Sequence, residues 1–253
     1  MNRVALLLVI GLCQLLFPGS DTLASLSDDP ALMAARQARD HGNVQALRGA
    51  TETVQSEASH QNSFEAYLRL ALFEDWMCEA AYDHQDNKLV KQAAQAGIAA
   101  AREAVKLNPN SSDAHWLLSE LLGKLIPHVL GGGPRFGPQS TREADRAIEL
   151  DPRNAHAYIA RAYNYFFTPA MFGGSKPKAV EMLKKAVEML KKAVEIDPAS
   201  DAADTAHILL AQAYFDLVQR DDALREIQEA LRLNPERRWA QNVNQQITLG
   251  KKE

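Results

Sequence analysis

The chain has 253 residues, of which 46% are hydrophobic and 24% charged, a balance that supports a folded core and excludes low-complexity disorder. Its 28 basic and 32 acidic residues leave a formal net charge of −4, so the basic field of a phosphate-tracking protein is missing and nucleic acid is not expected as a partner.

The first segment, residues 1–24, reads as a signal peptide. Arg3 supplies the positive start, and Val4 to Phe17 is apolar apart from Gly11 and Gln14. That run is short of the roughly 20 apolar residues that span a bilayer. Pro18-Gly19 breaks it, and Thr22-Leu23-Ala24 offers a small-x-small cleavage site. The expectation is a periplasmic or secreted chain without stable membrane insertion after cleavage; the bland alternative is a buried N-terminal helix. Leu12 before Cys13 makes a poor lipidation site, and cleavage after Ala24 leaves Cys78 as the one cysteine, too few for an internal disulfide.

Residues 25–60 suggest a degenerate helix pair, Ala31 to Arg39 and Val44 to Ala58, split by His41-Gly42. Residues 61–236 carry the repeats. Phe64 to Tyr82 is amphipathic, with Phe64, Leu68, Leu72 and Met77 on its apolar positions, and Leu89 to Leu107 is its alanine-rich partner. From there one phrase recurs: Glu103-Ala104-Val105-Lys106-Leu107-Asn108-Pro109, Arg146-Ala147-Ile148-Glu149-Leu150-Asp151-Pro152, Lys192-Ala193-Val194-Glu195-Ile196-Asp197-Pro198 and Glu229-Ala230-Leu231-Arg232-Leu233-Asn234-Pro235. Alanine lets one helix lie close to its neighbour, the aliphatic residues fill the seam, and Asn or Asp before Pro ends the helix. Residues 237–253 supply a closing helix, Trp239 to Leu249, whose Gln and Asn residues suit a solvated end face.

Leu210, Ala211, Tyr214, Ala223, Ile227, Ala230 and Pro235 resemble the large, small, aromatic, small, large, small and proline positions of the tetratricopeptide repeat family. The units after Pro109 and Pro152 resemble it through Ala114, Leu118, Ser119, Leu122, Ser140, Ala144 and Ala147, and through Tyr158, Ala162 and Tyr165. The prolines lie 43, 46 and 37 residues apart, longer than the family's period of about 34. No alternating strand run appears. The resemblance implies an all-α, right-handed superhelical solenoid of antiparallel helix pairs, with a concave face that binds a protein or peptide segment.

Two glycine-rich stretches, Leu130 to Pro138 and Phe167 to Gly174, fall between the helices of adjacent pairs. They read either as long turns or as a rim on which Arg135, Phe136, Met171 and Phe172 contact a ligand or partner. Gly131-Gly132-Gly133 lacks the Gly-Lys-Ser/Thr ending of a phosphate cradle. With the export signal, these loops resemble the T-component proteins associated with TRAP-type transporters. That resemblance implies a periplasmic solute-binding protein as partner, a small hydrophobic or carboxylate-bearing ligand, and homo-oligomerisation.

Residues 179–185 recur unchanged as 186–192, and a heptad insertion nearly preserves helix phase. Arg161 stands where the repeat family has a large apolar residue; it reads as a clamp for a ligand carboxylate, or as a side chain that snorkels to the groove with its stem packed or pairs with a nearby Asp or Glu. His115 and His207 occupy an early packed position of their repeats. Asp75 and Glu79, like Asp222 and Glu226, are i,i+4 carboxylates of the kind common on solvated helix faces. There is no HExxH, no paired cysteine and no GxSxG. No catalytic residue, metal ligand set or cofactor is indicated. The leading function is an exported protein-binding scaffold; the alternative is a transporter-associated ligand carrier.

Overall fold

Helix is the only regular structure among the residues that the computed structural model describes, which are 29–167, 175, 177–178, 180–185, 187–188 and 202–250. Successive antiparallel pairs are α1 (Pro30–Asp40) with α2 (Val44–Gln61), α3 (Phe64–Asp83) with α4 (Asn87–Leu107), and α5 (Ser112–Leu125) with α6 (Gly132–Leu150). The first helix of the next pair is α7 (Ala155–Phe167); α8 (Ala202–Asp216) with α9 (Arg220–Leu233) forms the last pair, and α10 (Arg238–Leu249) follows it. No described helix is long and apolar enough to cross a membrane. Met171, Phe172 and five of the seven residues of the second heptad copy lie outside the described residues.

Short polar side chains start the helices. Asp29, Asn43, Ser63, Asp86 and Ser111 accept from the backbone N–H groups of Ala31, Ala46, Ala66, Leu89 and Ala114, satisfying donors that have no partner within the first turn. The recurring Asn/Asp-Pro phrase stops them alike. Asn108, Asp151 and Asn234 take φ of −137°, −139° and −139°, because the following proline ring disfavours the helical region for the residue before it.

The helices fall into an inner and an outer set. Every residue of α8 from Ala202 to Ala211 is buried, and α3 and α5 are buried around most of their circumference. The outer helices bury only a stripe: Ser140, Ala144 and Ala147 on α6, Ala223, Ile227 and Ala230 on α9. Small residues at that spacing allow close approach. At Gly97 of α4 a Cβ would lie 2.7 Å from Leu121 Cδ2 of α5.

The apolar core comes in two bodies. One runs from Ala35 to Ala157 and the other from Ala155 to Ile247, so that they meet at α7. The stack also curls until its ends touch. His41 Nε2 lies 2.8 Å from Glu236 Oε2, Asp40 accepts from Arg237 and Asn234 at 2.9 Å each, and Asp83 accepts from Asn242 at 3.2 Å. The closing helix therefore faces the N-terminal pair, not only solvent.

The first glycine-rich stretch is not a loop along its length. Gly132 to Pro138 forms the first two turns of α6. Pro134 falls in the first turn, where its missing N–H has no helical acceptor to lose. Gly131, at φ 71°, turns the chain, and Gly132 packs so tightly that a Cβ would come 2.4 Å from the Ile126 carbonyl oxygen.

Candidate functional site

Inside the curl lies a cluster of charges assembled from five elements. Lys124, near the end of α5, points its ammonium at three carboxylates: Asp75 at 2.7 Å, Glu120 at 3.1 Å and Glu79 at 3.4 Å. Its side chain is 8% exposed. Arg237, immediately before α10, is 2% exposed and reaches Glu79 at 2.7 Å, Asp40 at 2.9 Å and Asp204 of α8 at 3.5 Å. Arg39 pairs with Asp40 at 2.8 Å, approaches Glu79 at 3.9 Å, and lies 5.1 Å over the Trp76 ring. Asn234 donates to both Asp40 and Asp204.

The fold dictates this arrangement. From Ala71 to Ala81 helix α3 has no polar face, since Ala71, Leu72, Phe73, Trp76, Met77, Cys78, Ala80 and Ala81 surround it. Its acids Glu74, Asp75 and Glu79 must therefore sit inside or at the axis. A buried charge persists only when paired. Burial alone would raise Glu79, but Lys124, Arg237 and Arg39 hold its carboxyl down to about 2. Burial would lower Lys124, and the carboxylates of Asp75, Glu120 and Glu79 more than reverse this, keeping it an ammonium. Burial also pushes Asp75 and the Cys78 thiol up.

These facts limit the chemistry. Oxygens of Asp75, Glu79 and Glu120 lie within 4.8 Å of one another, a spacing that could hold a metal ion. The Lys124 ammonium already bonds all three, so a divalent ion would have to displace a cation whose proton is held more tightly than usual. A lysine so protonated is neither base nor nucleophile, and the buried Cys78 thiol, which donates to the Val90 carbonyl, is no thiolate.

The residues singled out in the sequence are dispersed. Arg135 is exposed, with its guanidinium 4.9 Å over the Phe136 ring, and Phe136 is half-buried against the N-terminal core. Leu130, just before them, is fully exposed. Arg161 donates to Asp145 at 2.5 Å and to the Tyr165 hydroxyl at 2.9 Å. His115 Nδ1 meets Glu143 at 2.6 Å and His207 Nδ1 meets Glu226 at 2.8 Å, each joining the helices of one pair at equivalent repeat positions. Asp75 and Glu79 are not on a solvated face as their spacing suggested, because α3 is an inner helix. Arg237 and Lys124 carried no motif; the signal that could have found them is the apolar circumference of α3, which demands cations for its acids.

Among solved structures the chain is similar to TTC0263, a thermophilic TPR protein of Thermus thermophilus, at 19% identity and a TM-score of 0.60, covering 87% of this chain and 97% of that one. Weaker likenesses are YrrB, a TPR protein with an unusual peptide-binding site (15% identity, TM-score 0.40, 89% and 98% covered), and MamA from Desulfovibrio magneticus RS-1 (17%, 0.38, 85% and 97%). The first of these establishes a tetratricopeptide-type solenoid. Among curated proteins none matches the chain by sequence. One family model matches residues 32–249, from within α1 to the last residue of α10, and the chain therefore belongs to the family described as Regulator of microtubule dynamics protein 1-3.

Proposed function

We propose that the chain is a protein-interaction scaffold whose partner docks on an outer edge of the solenoid that includes Leu130, Arg135 and Phe136. The observation that carries this is the filled interior. The ion pairs around Lys124 and Arg237 inside the curl satisfy one another, with Lys124 held as an ammonium, so recognition falls to surfaces that remain open. At the α5–α6 turn a fully exposed Leu130 precedes Arg135, which stacks over a half-buried Phe136. Aromatic and arginine side chains on a rigid helix start are favoured anchors.

Two settings follow from different parts of the chain. Arg3 and the apolar run from Val4 to Phe17 support export to a periplasm, where a solute-binding protein is the partner in the transporter-associated version of this role. The family's description supports a partner concerned with microtubule dynamics, inside a cell. Fractionation of the native source separates them. Recovery of a form shortened to about residue 25 outside the cytosol supports the first; a full-length cytosolic chain removes it.

The binding role is tested on the same edge. Immobilised wild type and Leu130→Ser/Arg135→Ala variant are used to capture proteins from matched extracts. The expected result is an unchanged melting temperature with at least about ten-fold weaker retention of the captured partner, the scale of a lost anchor. Equal retention by both would refute the placement.

A further inference from the structure

The joint where the solenoid's ends meet differs in kind from the joints between successive helices. Successive helices meet on apolar stripes. The ends meet through His41–Glu236, Asp40–Arg237, Asp40–Asn234, Glu79–Arg237 and Asp83–Asn242, all polar. The N-terminal apolar body contains no residue of α10, and the C-terminal body none of α1 or α3.

The buried cations are also divided so that each keeps a carboxylate on its own side of the joint. If Arg237 withdraws, Asp40 keeps Arg39 at 2.8 Å, and Glu79 keeps Lys124 at 3.4 Å and Arg39 at 3.9 Å. Arg237 itself keeps Asp204, which lies on its own side at 3.5 Å. Asp40, Glu79 and Asp204 each keep a cation, while Asp83, half-buried at the joint, exchanges Asn242 for water. Buried ion pairs gain little over their hydrated parts, because desolvation offsets attraction. Parting this joint rehydrates charges and leaves both apolar bodies whole, whereas parting successive helices would expose apolar core.

We infer that this joint is a latch: α10 swings away from α1 and the end of α3 while both apolar bodies stay folded, converting the closed curl into an open solenoid. The opening does not depend on the outer-edge site proposed above. Gly42, at the α1–α2 turn, marks the contact line, since a Cβ there would meet Arg238 Cδ at 3.1 Å.

The test reads shape and amide exchange on the full chain, with no partner present. Arg237→Gln removes the shared cation and keeps the polar stem. Its expected signature is a larger radius of gyration by solution scattering and about ten-fold faster exchange in residues 30–43 and 238–249, while α3 and α5 keep their protection. The exposed pair is removed separately in His41→Ala/Glu236→Ala, which leaves the buried charges intact and should shift exchange in the same two segments by about two- to three-fold. This second variant decides the matter if Arg237→Gln does not fold. Unchanged exchange at both ends, or equal loss across α3, α5 and the ends, overturns the latch and makes the joint part of one cooperative core. Neither readout involves binding, so failure to capture a partner leaves the result standing, and a failed latch leaves the outer-edge site standing.

Discussion

Lys124 and Glu74 show two ways in which an inner helix treats an acid. Asp75 and Glu79 have a cation; Glu74, buried at 8% exposure, is raised to about 7 by desolvation with no charge offsetting it. Replacing Lys124 with Met strands Asp75 and Glu120, leaves Glu79 with Arg237 and Arg39, and should cost about 3–5 kcal/mol at neutral pH. The loss should shrink toward pH 4, where the stranded carboxyls take up protons; denaturant titrations at both pH values check it. Glu74 acts in the opposite sense. Its folded pKa lies above the unfolded one, so the stability it lends is full below about 4.5 and fades as pH rises through about 7. Glu74→Gln should therefore stabilise the protein by up to about 3 kcal/mol at pH 8 and do nothing at pH 4. A gain of equal size at both would point to packing. Glu79, held near 2, contributes stability that is full above about 4.5 and lost as pH falls toward 2. Such roles are only half legible in the sequence. The i,i+4 acids are plain there, but which face of a helix is the inside depends on neighbours that no local spacing records.

Elements are more legible than residues. Helix ends follow from Asn/Asp-Pro, because a proline constrains its predecessor wherever it stands. The start of α6 reads as a loop and is helix, since glycine and proline weaken helix locally while packing on Ile126 and the tolerance of a first turn for proline restore it. Gly132→Ala should destabilise by about 2 kcal/mol or more, as its Cβ would strike backbone. Gly133→Ala, with nothing within 4 Å of the new carbon, should stabilise by about 0.5–1 kcal/mol. Thermal melts of the two single variants separate the cases, and like signs would refute this account of the turn. The His–Glu pairs are legible as packed histidines but not as pairs, because each partner lies on the next helix. A double-mutant cycle on His115 and Glu143 should give a coupling of about 1 kcal/mol, and the His207–Glu226 cycle a similar one.

At the scale of the whole molecule, the solenoid follows from repetition, while its closure does not. Small rotations add from pair to pair, and whether the ends meet depends on their sum. That closure bears on how the chain folds. Contacts between Asp40 and Arg237 link residues 197 apart, whereas each apolar body is built mostly from neighbouring helices. Local bodies condense first; contacts of such separation form after the loop entropy has been met. Arg237→Lys should leave the refolding rate unchanged and speed unfolding by the full loss in stability, a φ-value near zero, while a change such as Leu121→Ala within the N-terminal body should slow refolding. The ends of this ring are thus the last contacts made and the first released.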